Sequence, residues 1–219
     1  MRYVFLGDEN FHDEIAMRLA NAGFERCVDV DDATAVITFC TSQSALEDAY
    51  FDEGGFVQAA NPGAVLIDFS ASTPGFAREL GAVATVSDLG FVEAPIALED
   101  MLDARPFERE NIVCYVAGEE DAVCAAQVLL DAVAGRTVKC GTAGTAQLMR
   151  AVRTLQEAAA VVSAIEANAL VNAAHRAALG NGLSDVEVSG LSEPAERMLE
   201  VVREKRFEGA FTAEMFLSE

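Results

Sequence analysis

From residue 2 to residue 141 the sequence alternates between two textures. Short, continuously apolar runs, beginning with RYVFLG at 2–7, are separated by longer stretches in which apolar residues recur every three or four positions. A run that is apolar throughout, rather than at every second residue, reads as a strand covered on both faces. Further strands are expected at Ala35–Cys40, Ala64–Asp68, Gly90–Glu93, Asn111–Ala117 and Arg136–Cys140. Helices are expected at about Asp13–Ala22 (stopped by Gly23), Ser42–Tyr50, Gly75–Ser87 and Glu119–Val133. Strand and helix in turn specify an α/β domain with a mainly parallel sheet, over residues 1–145.

From Ala146 the alternation stops. Leu148, Val152, Leu155, Ala159, Val162, Ile165 and Ala169 mark one stripe of a single long helix ending near Gly180. A second helix is expected from Ser192, its N-cap, to about Arg206, with Pro194 just inside. Residues 146–219 thus form a long helix and a small all-helical part. The stripe and the tail residues Phe207, Phe211 and Phe216 need cover, which predicts a homodimer, or a complex with another chain, through residues 146–216.

Charge narrows the partners. Of 219 residues 15 are basic and 36 acidic, a net charge of −21, which opposes binding to nucleic acid or an anionic membrane. The five cysteines, 27, 40, 114, 124 and 140, include no C-x-x-C pair and lie in apolar stretches, as buried reduced thiols of a cytoplasmic protein would. The start, MRYVFLGDEN, is too short an apolar run for a signal peptide, and Ala158–Ile165, between Glu157 and Glu166, is too short to span a bilayer. No metal-ligand spacing is present; His12 and His175 read as surface residues.

Several segments share one register with a known family. Val4–Gly7, Asn10, Ala16, Leu19 and Ala22-Gly23 follow its opening strand, glycine turn and helix. Pro62-Gly63-Ala64-Val65-Leu66-Ile67-Asp68-Phe69-Ser70, then Pro74 and Ala77-Arg78-Glu79-Leu80, fall in step, as do Val36-Ile37-Thr38-Phe39, Glu93-Ala94-Pro95 and the pair Gly141 and Gly144 before the long helix. As a set they resemble the β-hydroxyacid dehydrogenases, the group of 3-hydroxyisobutyrate and 6-phosphogluconate dehydrogenases, with imine reductases as relatives. The resemblance implies a Rossmann-like domain, a long interdomain helix, NAD or NADP as cofactor and hydride transfer involving a small hydroxy acid. It assigns Gly7, Asn10 and Ser70 to the cofactor, places Arg150 where the family has its catalytic lysine, and puts Arg153 and Thr154 at its asparagines.

The residues themselves bear on that chemistry. Where a dinucleotide fold has G-x-G-x-x-G, this chain reads Gly7-Asp8-Glu9-Asn10-Phe11-His12, followed by Asp13 and Glu14. Acids in a first helical turn gain roughly 0.3–1 kcal/mol each from the helix dipole. Each would repel a pyrophosphate in contact by about 1–4 kcal/mol, so repulsion wins. A possible strand at Arg26–Val30 is separated from the next by only Asp31–Thr34, too few residues for a parallel crossover. Arginine stays protonated and cannot exchange the proton a buried lysine can. Arg150 and Arg153, one turn apart, are candidates for a small anion, although Arg153 could equally pair with Glu157. Ser70, Ser72 and Thr73 follow a strand end, where ligands bind or where the helix begun by Pro74 is capped. The fold class expected is therefore α/β, a shortened Rossmann-like sheet followed by helices. The expected function is a dehydrogenase-like protein with degenerate cofactor and catalytic sites and a binding or structural role. The alternative is an active NAD(P)-dependent enzyme acting on a small hydroxy acid, carbonyl or imine.

Overall fold

The computed structural model describes residues 1–100 and 105–180. The expected helix at 192–206 and the tail phenylalanines lie outside them. Residues 1–151 form one compact unit and a second begins at Val152, within one continuous helix.

Among the described residues eight strands make one sheet: β1 (Arg2–Gly7), β2 (Glu25–Arg26), β3 (Ala35–Phe39), β4 (Val65–Asp68), β5 (Gly90–Glu93), β6 (Ile96–Leu98), β7 (Ile112–Gly118) and β8 (Arg136–Gly141). The helices of the described residues are α1 (Glu9–Asn21), α2 (Gln43–Phe51), α3 (Phe56–Ala59), α4 (Pro74–Val86), α5 (Glu120–Val133) and α6 (Thr145–Gly180). β2, β1, β3, β4 and β5 lie side by side and parallel. β7 then runs antiparallel to both β5 and β6 and parallel to β8. Because β2 and β3 leave β1 on opposite sides, the order reverses at β1, where sheets of this kind open a crevice at the carboxyl ends of their strands.

The continuous apolar runs are explained by burial on both faces. In β3, Ile37 joins a core with Phe11, Ile15 and Leu19 of α1 and Leu129 and Leu130 of α5. Its neighbour Val36 points the other way, to Leu46 and Tyr50 of α2 and Phe76 and Leu80 of α4. Each such side chain, fully buried, contributes roughly 1.5–3 kcal/mol. Side chains also set the helix starts: Ser42 accepts from the amide of Ala45, and Thr73 accepts from that of Phe76 with Pro74 in the first turn.

Three expectations are corrected. The strand at Arg26–Val30 is only Glu25–Arg26, followed by a 3-10 turn at Val30–Asp32. The chain climbs no higher than Tyr3 before turning back, so residues 27–34 suffice to reach β3, held by Cys27 N–H to Tyr3 O and Thr34 N–H to Arg2 O. The cysteines are all free, but Cys124 is exposed and Cys140 half-buried. Ile96–Leu98, unassigned from sequence, is a strand because Cys114, Val113 and Ile112 offer it an antiparallel edge. Among the described residues no helix is long and apolar enough to cross a membrane.

Candidate functional site

At the sheet's reversal point β1 ends on Gly7 with φ +137°, and a Cβ there would lie 2.0 Å from the carbonyl oxygen of Phe39. Only glycine lets β1 and β3 approach this closely. The next residue, Asp8, caps α1: its Oδ1 accepts from the backbone N–H of Asn10 at 2.8 Å and from Asn10 Nδ2 at 3.0 Å. Asn10 thus faces the cap of its own helix.

Glu9 takes both arms of a guanidinium. Arg26 Nη2 donates to Glu9 Oε1 at 2.7 Å and Arg26 Nη1 to Oε2 at 2.9 Å, which holds the Glu9 carboxyl below its ordinary range. Arg26 also lies 3.2 Å from His12 Nδ1 and stacks over the Phe5 ring, 5.7 Å from its centroid. Arginine has no acceptor, so His12 Nδ1 accepts and the ring proton sits on Nε2, which donates to Tyr3 Oη at 2.9 Å. Burial, with Arg26 adding to it, pushes the imidazole pKa down and keeps the ring neutral. The surface reading of His12 is thereby corrected: it is 5% exposed, its ring 4.8 Å from that of Phe5. Glu9, His12 and Asp13 bring three potential metal-ligand atoms within 4.8 Å of one another, and Arg26 already holds two of them.

A second polar row crosses the carboxyl ends of β3, β4 and β5, where Thr38, Asp68 and Glu93 are register partners, all buried. Thr38 Oγ1 donates to Asp68 Oδ1 at 2.9 Å, so Tyr50 O–H donates to Thr38. Burial raises the Asp68 carboxyl to about 6. Ser70 is fully buried within this row. Its N–H donates to Asp68, its Oγ accepts from Cys40 N–H at 2.8 Å, and its carbonyl accepts from Gln147 Nε2 at 2.9 Å. Glu93 turns its carboxylate to the start of α6, accepting from the N–H groups of Gly144 and Gln147. Gly144 has φ +92° and would set a Cβ 2.7 Å from the Pro74 carbonyl, so glycine is required there too.

Arg150 is half-buried in the second turn of α6, with Nε 3.3 Å from Gln147 Oε1. Gln147 Oε1 also accepts from Ser72 N–H. Arg153, in the second unit, donates to Glu157 at 2.6 Å, the i,i+4 pair open to it from sequence. Sequence reasoning passed over Tyr3, Arg26 and Gln147. Their partners lie 9, 17 and 77 residues away, beyond any local spacing signal. A separate cleft of about 710 Å³, lined by Arg78, Asp88, Gly90 and Glu119 among others, opens near the amino ends of β4 and β5 instead.

The profile of the NAD binding domain of 6-phosphogluconate dehydrogenase matches residues 10–144. Human mitochondrial 3-hydroxyisobutyrate dehydrogenase is 31% identical over 136 residues, 62% of this chain and 39% of that protein. The chain spans 39–46% of the length of the 3-hydroxyisobutyrate dehydrogenases it matches. Among solved structures, the 3-hydroxyisobutyrate dehydrogenase of Salmonella typhimurium shares the fold with a TM-score of 0.74 at 16% identity, over 99% of this chain and 83% of that one. Psf3, solved with NADP+ and 2-OPP, gives 0.70 at 17% identity, over 94% and 79%. The glycine turn after β1, the reversal of strand order beside it and a profile match over more than half the residues agree: the chain belongs to the β-hydroxyacid dehydrogenase family, as a divergent member.

Proposed function

We propose that this chain is a 3-hydroxyisobutyrate dehydrogenase-like protein in which the cofactor and catalytic positions have been turned to internal contacts, leaving a binding or structural role. The reading is carried by the first turn of α1. A pyrophosphate needs free amides there and a backbone it can approach closely. The Asn10 amide is engaged by the Asp8 carboxylate, Glu9 stands at the second glycine position, and the third is the buried His12. β2 ends on Arg26 rather than on a carboxylate for an adenosine ribose. These residues do not fit a dinucleotide in the family's manner. Arg150, at the family's lysine position, stays protonated; its charge suits holding a small carboxylate or phosphate rather than moving a proton.

The protein acts in the cytoplasm as a homodimer, or with another chain, through α6. Leu148, Leu155, Val162 and Leu170 are 54%, 71%, 59% and 72% exposed, a repeating apolar surface that a helical partner would bury.

One observation favours an active NAD(P)-dependent enzyme instead. Gly7 keeps the backbone of the family's turn, and an arginine at the end of β2 is a residue type that accommodates a ribose phosphate, which would select NADP. Titration of NADH and NADPH into the protein, followed by nucleotide fluorescence and melting temperature, separates the two. The proposal expects no saturable binding of either at micromolar concentration; saturable binding with a rise in Tm overturns it.

A further inference from the structure

The cleft near the amino ends of β4 and β5 holds about 710 Å³, the size that takes a small organic molecule. It lies within the first unit, between α4 and the start of α5, with the buried side chains of Leu89 and Phe91 as apolar lining. Charge of both signs surrounds it: Arg78 from the second turn of α4, Asp88 from just before β5, and Glu119 and Asp121 from the start of α5.

Opposite charges lining one cleft can pair with each other, and these do not. Among the described residues Arg78 makes no hydrogen bond or ion pair, in a chain with 36 acidic residues. Glu93 feels its charge, but that carboxylate is already taken by the N–H groups at the start of α6. The separation follows from the helix. From Arg78 to Val86, the last residue of α4, the axis rises about 12 Å, and Asp88 lies two residues further on. Arg78 is at the other end, where a Cβ on Gly144 would lie 2.9 Å from its Nη1. Nor do the acids gather for a metal ion: among the described residues only Glu9, His12 and Asp13 converge that closely.

Asp88 also holds its place at a conformational cost. α4 closes in a Schellman motif, with Leu89 N–H donating to Ala84 O and Asp88 N–H to Thr85 O. The left-handed position of that motif is Asp88, φ +60°, the one non-glycine residue with positive φ among those described. Glycine adopts this conformation without strain, so the turn keeps a carboxylate beside the cleft where glycine would be the more stable choice.

We infer that this cleft binds a small molecule with a carboxylate at one end and an ammonium group at the other, an ω-amino acid or a molecule of that form. Arg78 takes the carboxylate, Asp88, Glu119 and Asp121 surround the ammonium, and the chain between lies against Leu89 and Phe91. The site is separate from the α1 turn and does not depend on whether a dinucleotide binds there.

The test titrates the full chain with 6-aminohexanoate, hexanoate and hexylammonium at pH 7.5 and low ionic strength. The readouts are Tm and the backbone amide resonances of Gly81 and Gly90, which line the cleft. 6-Aminohexanoate is expected to shift both resonances saturably and to raise Tm, binding at least about tenfold more tightly than either singly charged probe. Arg78→Met is expected to reduce its affinity to that of hexylammonium. Asp88→Gly is expected to weaken it by about fivefold while raising Tm of the free protein, a pair of effects that a merely structural aspartate would not give. No saturable binding of 6-aminohexanoate overturns the inference. So do equal affinities for a singly charged probe, resonance shifts that spare Gly81 and Gly90, or an affinity unchanged in either variant. If Arg78→Met fails to fold, Asp88→Gly decides by the same criteria, because glycine is the residue this turn accepts most readily.

Discussion

At the scale of single residues, the buried carboxylates govern how the chain responds to pH. Burial holds Asp68 at about 6 against 3.8 for an exposed aspartate, and Glu93 beside it is raised for the same reason. The folded chain therefore binds the Asp68 proton more tightly than the unfolded chain does. The resulting stabilisation is complete below the ordinary aspartate pKa and is lost as pH rises through about 6, about 3 kcal/mol in all. Acidification also relieves the net charge of −21, so the unaltered chain alone does not isolate the effect. The Asp68→Asn variant does, because it keeps an oxygen for Thr38 but cannot ionise. Urea midpoints should show the unaltered chain gaining roughly 2 kcal/mol on Asp68→Asn between pH 7.5 and pH 4, with the remainder below pH 3.8; a constant difference would mean that Asp68 does not titrate in this window. Single residues also explain where the sequence was hard to read. His12 looked like a lone surface histidine because Tyr3, Phe5 and Arg26, which bury it, approach from β1 and β2. The charge of Glu9, counted against any phosphate, is answered by Arg26, 17 residues on.

Among the elements, the informative one is the start of α6. Three of the helices begin on a side chain just before them: Asp8, Ser42 and Thr73 cap α1, α2 and α4. For α6 the acceptor comes from another strand, where Glu93 at the end of β5 takes the N–H groups of Gly144 and Gln147. The Glu93-Ala94-Pro95 segment, noticed in the sequence as a likeness to the family's motif, thus has a mechanical role in this chain. Removing the carboxylate with Glu93→Ala leaves two buried donors without an acceptor and should destabilise the first unit by about 2–4 kcal/mol. The loss should appear in thermal unfolding, with faster hydrogen exchange at Gly144 and Gln147. Exchange at those amides unchanged from the unaltered chain would show that Glu93 does not hold the helix. Element types were legible wherever a period was strong, and boundaries less so. β6 was missed because a three-residue strand has no period of its own and exists through its pairing with β7.

For the whole molecule, the apolar stripe of α6 is the surface that calls for cover. Its exposed leucines and valines recur along the helix, and a second copy packed on them would take that apolar surface out of water. Light scattering on a sizing column should give twice the chain mass at micromolar concentration, and Leu155→Glu with Val162→Glu should shift the protein to the monomer. A monomeric unaltered chain would refute the homodimer. Among the described residues the sheet lies within 2–141, with both faces covered.

The sequence by itself determined the class of fold, because continuous apolar runs are stable only as strands covered on both sides, and the runs and helical periods alternate from one end of the sheet to the other. It also determined the family, through glycines and turn residues whose spacing is local. Only the tertiary structure decided what the polar residues do. The partners of Arg26, Glu93, Ser70 and Gln147 are brought to them by strand register across the sheet, and a hydrogen bond between residues far apart in the chain leaves no periodicity to read.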